Sequence, residues 1–258
     1  ETPDEVAAQC KKRNYCTFAN QIRAIAEYRM ILDENFSSCR SSFESLLSVE
    51  MIKHIQPMEI FSPAFADFSL RTAENSVLAV GQSQEKALSI VEYTNKSEGI
   101  YPVLEAVQTK CPFSKNSSIS YFEIYIASGG RNGSIGIGIT TEDYPLDQQP
   151  GWCEGGWGYH GDDGNKYWFA DGDCQNDFYG PCFCTGDVVG CGINNVTSQL
   201  FFTKNGLVID TTAFENIPTD TQNLFPFVCL GSSGEKIILN LGQIPFLWNF
   251  DIESVLTE

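Results

Sequence analysis

Basic side chains are scarce in this sequence. Lysine and arginine total 16 against 33 aspartates and glutamates, a formal net charge of -17, and a field of that sign repels phosphate backbones and anionic lipid. Nucleic-acid binding and a membrane-surface role are disfavoured on that ground. Histidine is scarcer still: His54 and His160 are the only two, so a serine or cysteine nucleophile has few bases to draw on. No uninterrupted apolar run approaches the roughly 20 residues that a helical membrane span requires. Low-complexity tracts and internal repeats are absent as well, and nothing in the residues calls for a cofactor.

What is present suits a folded chain. Hydrophobic residues make up 42% and charged residues 19% of 258 positions, which is enough to bury a core and is unlike a disordered, collagenous or coiled-coil composition. The length fits one large domain with a small appendage. The first residues, Glu1-Thr2-Pro3, carry neither an initiator methionine nor a basic-then-apolar leader, as in an excised or processed product. Ten cysteines and five Asn-x-Ser/Thr sequons, at Asn35, Asn95, Asn116, Asn132 and Asn195, lean toward a secreted, disulfide-bonded glycoprotein, with a cytoplasmic location as the alternative.

The pattern changes near residue 60. Thr2-Pro3-Asp4-Glu5 has the form of a capping box with proline at the first helical position. Tyr15, Phe18, Ile22 and Ile25 recur at helical spacing, and Phe43, Leu46, Leu47, Met51 and Ile55 make a second stripe ending before Pro57. Residues 1–60 are expected to form an α-helical hairpin that packs on the main domain or binds a partner. Cys10, Cys16 and Cys39 lie within it, with no pairing deducible.

From about Ser62 the period becomes two and the punctuation becomes glycine. Runs at Ser76–Val80, Tyr121–Ile126, Ile135–Thr140, Leu200–Thr203, Pro226–Leu230 and Lys236–Leu241 read as strands between Gly, Asn and Asp turns. Asn205-Gly206 is the strongest hairpin signal, because those residue types accept the positive φ angles of a tight primed turn. Many short strands without intervening helices predict, for residues 61–258, a mainly β, two-sheet antiparallel sandwich.

Several of these segments together resemble the SPRY domain, and most closely its Ran-binding protein M type. The matching pieces, in order, include Tyr121-Phe122-Glu123-Ile124, Gly136-Ile137-Gly138-Ile139, Pro150-Gly151-Trp152 and Gly158-Tyr159-His160-Gly161-Asp162-Asp163-Gly164. Tyr179-Gly180-Pro181, Thr185-Gly186-Asp187, Phe202-Thr203-Lys204-Asn205-Gly206 and Gly242-Gln243 with Pro245-Phe246 follow. The resemblance runs from about residue 62 to 252. It implies a concanavalin-like sandwich that is not an enzyme and binds peptides or folded partners through loops at one rim. Proteins of this type are scaffolds of a ubiquitin-ligase assembly, while small secreted SPRY-only proteins are another precedent. The resemblance also assigns His160 to the framework, turns Trp157 and Tyr159 inward, and aligns Trp152 approximately with an aromatic that contacts peptide.

Between Glu142 and Asp187 ten acids, among them Glu154, Asp162 and Asp163, stand against one base, Lys166. Such a stretch is a solvated face, a surface for a basic partner, a calcium site or a glycosidase carboxylate pair. Asp171-Gly172-Asp173 resembles the start of a calcium loop but lacks the closing glutamate of an EF-hand. Cys182 and Cys184 are spaced to share one face of a strand, Cys191 reads as core, and Cys153 and Cys174 sit in loops as a possible bridge or as free thiols. A second rim loop, Gly231-Ser232-Ser233-Gly234, lacks the bulky residue that SPRY domains recognising Asn-rich peptides carry there.

The expected function is a non-enzymatic interaction module that contacts a protein or peptide, a basic one among the candidates, through Trp152, Glu154, Asp162, Asp163, Ser232 and Ser233, with no catalytic or metal-binding residue. Two other classes compete with it: a lectin-like, carbohydrate-binding sandwich, and a structural subunit of a larger assembly.

Overall fold

The computed structural model describes residues 69–74, 76–82, 88–94 and 103–248. The expected helical hairpin, the domain boundary at residues 60 and 61, His54, Asn35, Asn95 and the three leading cysteines lie outside the described residues.

Fourteen strands are described. They are β1 (Leu70–Arg71), β2 (Leu78–Gln82), β3 (Ser89–Tyr93), β4 (Glu105–Thr109), β5 (Ile119–Gly129), β6 (Gly136–Thr140) and β7 (Gly156–His160). There follow β8 (Asn165–Ala170), β9 (Asp173–Phe178), β10 (Val188–Asn194), β11 (Gln199–Lys204), β12 (Leu207–Phe214), β13 (Phe225–Leu230) and β14 (Glu235–Asn240). They form two seven-stranded sheets, ordered β1-β4-β13-β6-β7-β8-β9 and β12-β11-β10-β5-β14-β3-β2. All pairings are antiparallel. The expected sandwich is what the described residues form.

Alternation along each strand builds the layer between the sheets. Phe122, Ile124 and Ile126 of β5 and Ile237 and Leu239 of β14 meet Ile137 and Ile139 of β6 and Val228 and Leu230 of β13 in one buried cluster. Successive strand residues point to opposite faces, so a period of two suffices to fill it. Phe122 is fully buried there, and Phe122→Ala would cost about 3 to 5 kcal/mol through lost transfer energy and a residual cavity. Tyr159 lies wholly inside the cluster and Trp157 packs against it, on the inward side.

The central strands are buried on both faces because chain segments cover their outer sides. Over the second sheet, Trp248 packs with Tyr121 and Phe201, and Phe246 adds to them. Glu123, beneath that segment, accepts from the Leu247 amide at 3.0 Å and from Asn240 Nδ2 at 3.2 Å.

The turns follow their residue types. Asn205 and Gly206 have φ of 53° and 80°, the primed hairpin the sequence called for, joining β11 to β12. Asp171 and Gly172, with φ of 55° and 83°, make the same kind of turn between β8 and β9. The feature that resembled a calcium loop is thus a two-residue hairpin. Cys182 and Cys184 do not lie on a strand as expected. Pro181 has no N–H to give a ladder, and Phe183 is driven inward against Gly161, which leaves the two flanking thiols exposed.

Candidate functional site

The surface around Trp152 is made by the long connection from β6 to β7, residues 141–155, lying on the outer face of the first sheet. Glycines on that face let it approach. A Cβ on Gly136 would sit 2.1 Å from Gln149 Oε1, and one on Gly158 would sit 2.1 Å from the Pro150 carbonyl oxygen. Any side chain at Gly158 would therefore lift the connection off the sheet.

Directional bonds fix it in place. One Arg71 Nη donates to the carbonyls of Glu142 at 2.6 Å and Tyr144 at 3.3 Å and to Gln108 Oε1 at 2.6 Å. Tyr144 is buried edge-on against Phe227. Its hydroxyl donates to the Gln149 carbonyl at 2.7 Å and accepts from the Cys153 amide at 3.0 Å, and burial pushes its phenol pKa well above the ordinary value. Gln149 Nε2 donates to the Ser134 carbonyl at 2.9 Å, linking the connection to the turn between β5 and β6.

Trp152 emerges from this base 39% exposed. Its ring centroid is 6.2 Å from that of His160, and His160 in turn stacks on Tyr167 of β8 at 4.0 Å with 14° between planes. The Tyr167 hydroxyl donates to Asp163. His160 Nε2 lies 2.9 Å from the Pro150 carbonyl oxygen, an acceptor only, so that nitrogen carries the proton. Burial lowers the imidazole pKa to about 4, and a neutral ring with a committed N–H belongs to the framework. Tyr167 is pushed up to about 12 by burial and by its bond to Asp163. Burial raises the Asp162 carboxyl pKa, and its neighbour Asp163 adds to that.

Of the residues expected to contact a partner, Trp152, Glu154, Asp162, Asp163 and Ser233 are exposed. Ser232 is 6% exposed and faces inward: its amide and hydroxyl donate to Glu235 at 3.0 and 2.7 Å. Glu235 is fully buried and also accepts from the Gly231 amide at 2.7 Å. Trp152 and Asp163 are brought together through the His160 and Tyr167 rings. Ser232 joins that assembly at a distance, since the turn that holds Ser134 also directs the Asn132 amide to Ser232 Oγ at 3.3 Å. The base Lys166 does not neutralise the acids around it. Its ammonium donates to the Ala213 carbonyl at 2.8 Å and lies 5.4 Å from the Phe214 ring, inside the open edge of the sandwich.

Residue periodicity gave no sign that Tyr167 and His160 would form a mount for Trp152. The spacing Ser232-Ser233-Gly234-Glu235 did carry a readable signal, the Ser-x-x-Glu pattern of a side chain that reaches back to local amides. Among the described residues no group of His, Cys, Asp and Glu is arranged to hold a metal ion.

The model of the SPRY domain matches residues 119–244. A crystal structure of a human SPRY domain superposes with a TM-score of 0.53 at 30% identity, covering 67% of this chain and 98% of that one. The chain belongs to the SPRY domain family. Within it, the chain is of the Ran-binding protein M type. It is 43% identical over 141 residues to the Ran-binding proteins 9/10 homolog of Drosophila melanogaster, covering 55% of this chain and 14% of that protein. Ran-binding protein 9 of Homo sapiens is 40% identical over 153 residues, 59% of this chain and 20% of its own length. The Ran-binding protein M homolog of Arabidopsis thaliana is 38% identical over 165 residues, 64% of this chain and 33% of its own. This SPRY chain therefore spans a third or less of each of these relatives.

That kinship corrects the expectation of secretion, because the Ran-binding protein relatives are intracellular proteins. The cysteines and sequons that suggested secretion gain no support as disulfides or glycan sites among the described residues. The seven cysteines among the described residues, including Cys153 and Cys174, are free thiols. The Asn195 side-chain amide, the atom a glycan would occupy, already donates to the Ser117 carbonyl at 2.8 Å and to Ser120 Oγ at 3.0 Å.

Proposed function

We propose that this SPRY domain is a non-enzymatic recognition module that binds a peptide or a folded protein on the surface around Trp152, with Glu154, Asp162, Asp163 and Ser233 as polar contacts. The observation that carries the reading is a large aromatic left half exposed on a base held by its backbone and neighbours. A partner meets a surface that has little loop entropy left to lose, and tryptophan supplies wide apolar contact with one hydrogen-bond donor, the combination that dominates binding hot spots. The acids beside it, with Lys166 turned inward, favour a partner of basic character. The relatives are named for binding Ran, and Ran is accordingly the first folded protein to offer it.

The test is selection of random peptides on the immobilised chain, run beside a glycan array. Recovery of peptides with a common pattern that compete with one another at one site supports the reading. Saturable sugar binding with no peptide recovered would replace it with the lectin-like alternative.

A further inference from the structure

The described residues leave one edge of the first sheet open beside this surface. β9 is the last strand of its sheet and pairs only with β8, from Asn165↔Phe178 to Ala170↔Asp173. The two-residue turn makes Ala170 and Asp173 the closing hydrogen-bonded pair, so Cys174, Asn176 and Phe178 direct their backbone groups outward. The Cys174 amide is already taken by Asp173 Oδ1 at 2.8 Å. Asn176 and Phe178 remain. Phe178 is 76% exposed, an aromatic at a free strand end, and Cys174 Sγ lies 3.8 Å from the Gly151 carbonyl oxygen, which places the edge next to Trp152.

We propose that β9 takes up an extended basic segment of a partner protein as an additional antiparallel strand. The proposal rests on the recognition reading above and specifies the form of its partner. An open edge is a template for pairing, and charge decides what it accepts. Asp173 and Asp177 lie on one face of β9, and the cross-strand partner of Asp177 is Lys166, whose ammonium goes to Ala213 instead. A second copy of this chain would set those aspartates against aspartates, in a molecule of net charge -17. A strand alternating basic and apolar residues would place its cations beside Asp173 and Asp177 and its apolar side chains beside Phe178.

The probe is an acetylated, amidated Lys-Val-Lys-Val-Lys-Val-Lys peptide, offered to the full chain up to 1 mM. Two N-methylated forms accompany it. Methylation at the valines blocks the N–H groups that would face β9, and methylation at the lysines blocks those that face away. The expected result is at least tenfold slower amide exchange at Asn176 and Phe178 with the peptide bound. Affinity should fall at least tenfold for the valine-methylated form and for Asn176→Pro, which an edge strand tolerates, and little for the lysine-methylated form. Unchanged exchange on β9, or equal affinity for the two methylated forms, would overturn the proposal. Selected peptides that lose affinity for Trp152→Ala while β9 exchange stays unchanged would remove this inference alone and leave the recognition reading standing.

Discussion

His160 and Tyr167 stack face to face, ring centroids 4.0 Å apart, and this pair joins the outer face of β7 and β8 to the connection that carries Trp152. The imidazole is 4% exposed and its Nε2–H is committed to the Pro150 carbonyl. Protonation would leave that bond in place but set an unsolvated charge in the interior, so burial is what keeps the ring neutral.

A pH dependence follows. Unfolded, the imidazole titrates near 6.5; folded, burial lowers it to about 4. Between those values the unfolded chain holds a proton that the folded chain refuses, so stability falls as pH drops from about 6.5 to about 4, by at most ~3 kcal/mol from this group. Urea midpoints at pH 7 and pH 4.5 measure the loss. His160→Gln, which keeps an N–H donor without the titration, should lose less stability over the same interval.

Gly158→Ala should separate the connection from the sheet. Its Cβ would meet the Pro150 carbonyl oxygen at 2.1 Å, a contact with backbone that no rotamer relieves. A loss of about 2 to 3 kcal/mol is expected from the forced displacement. It should appear in thermal unfolding together with faster proteolysis between residues 141 and 155. Unchanged stability would mean that the connection does not rest on this strand.

Glu235→Ala should release the turn between β13 and β14. Three donors, the Gly231 and Ser232 amides and the Ser232 hydroxyl, converge on this one carboxylate, and removing it strands them. A cost of about 2 to 4 kcal/mol is expected, read from the urea midpoint. Ser232→Ala, which removes a single donor, should cost about 1 kcal/mol.

Thiol reactivity should sort by burial. Cys182 and Cys184 are exposed, whereas Cys191 and Cys229 are buried, and burial raises the pKa of those two thiols far above the ordinary value. Only the thiolate reacts. Mass spectrometry after brief iodoacetamide treatment should find the first pair alkylated and the second untouched until the chain is unfolded.

What the sequence conveyed and what it withheld divide along the same physical line. Local rules carried the hairpin at Asn205-Gly206 and the inward alternation of β5, β6 and β14, because turn chemistry and period two act within a few residues. They also held the clue to the β8 and β9 hairpin. Asp171-Gly172 is as good a primed turn as Asn205-Gly206, but among the surrounding acids it read only as an incomplete calcium loop and not as a turn. The seat of Trp152 was beyond reach, since it depends on Gly136 and Gly158 lying under residues that follow or precede them by many positions. Ser232 was expected at the rim because its loop is there. Its spacing to Glu235 turns it inward.

Recognition through Trp152 is measured most directly by titrating a selected peptide against the native chain and Trp152→Ala, with thermal unfolding of both. Affinity should fall by roughly 5- to 150-fold, about 1 to 3 kcal/mol, while the melting temperature moves by no more than a few degrees. Unchanged affinity, or a collapse of the melting temperature that shows the ring to be part of the core, would contradict it.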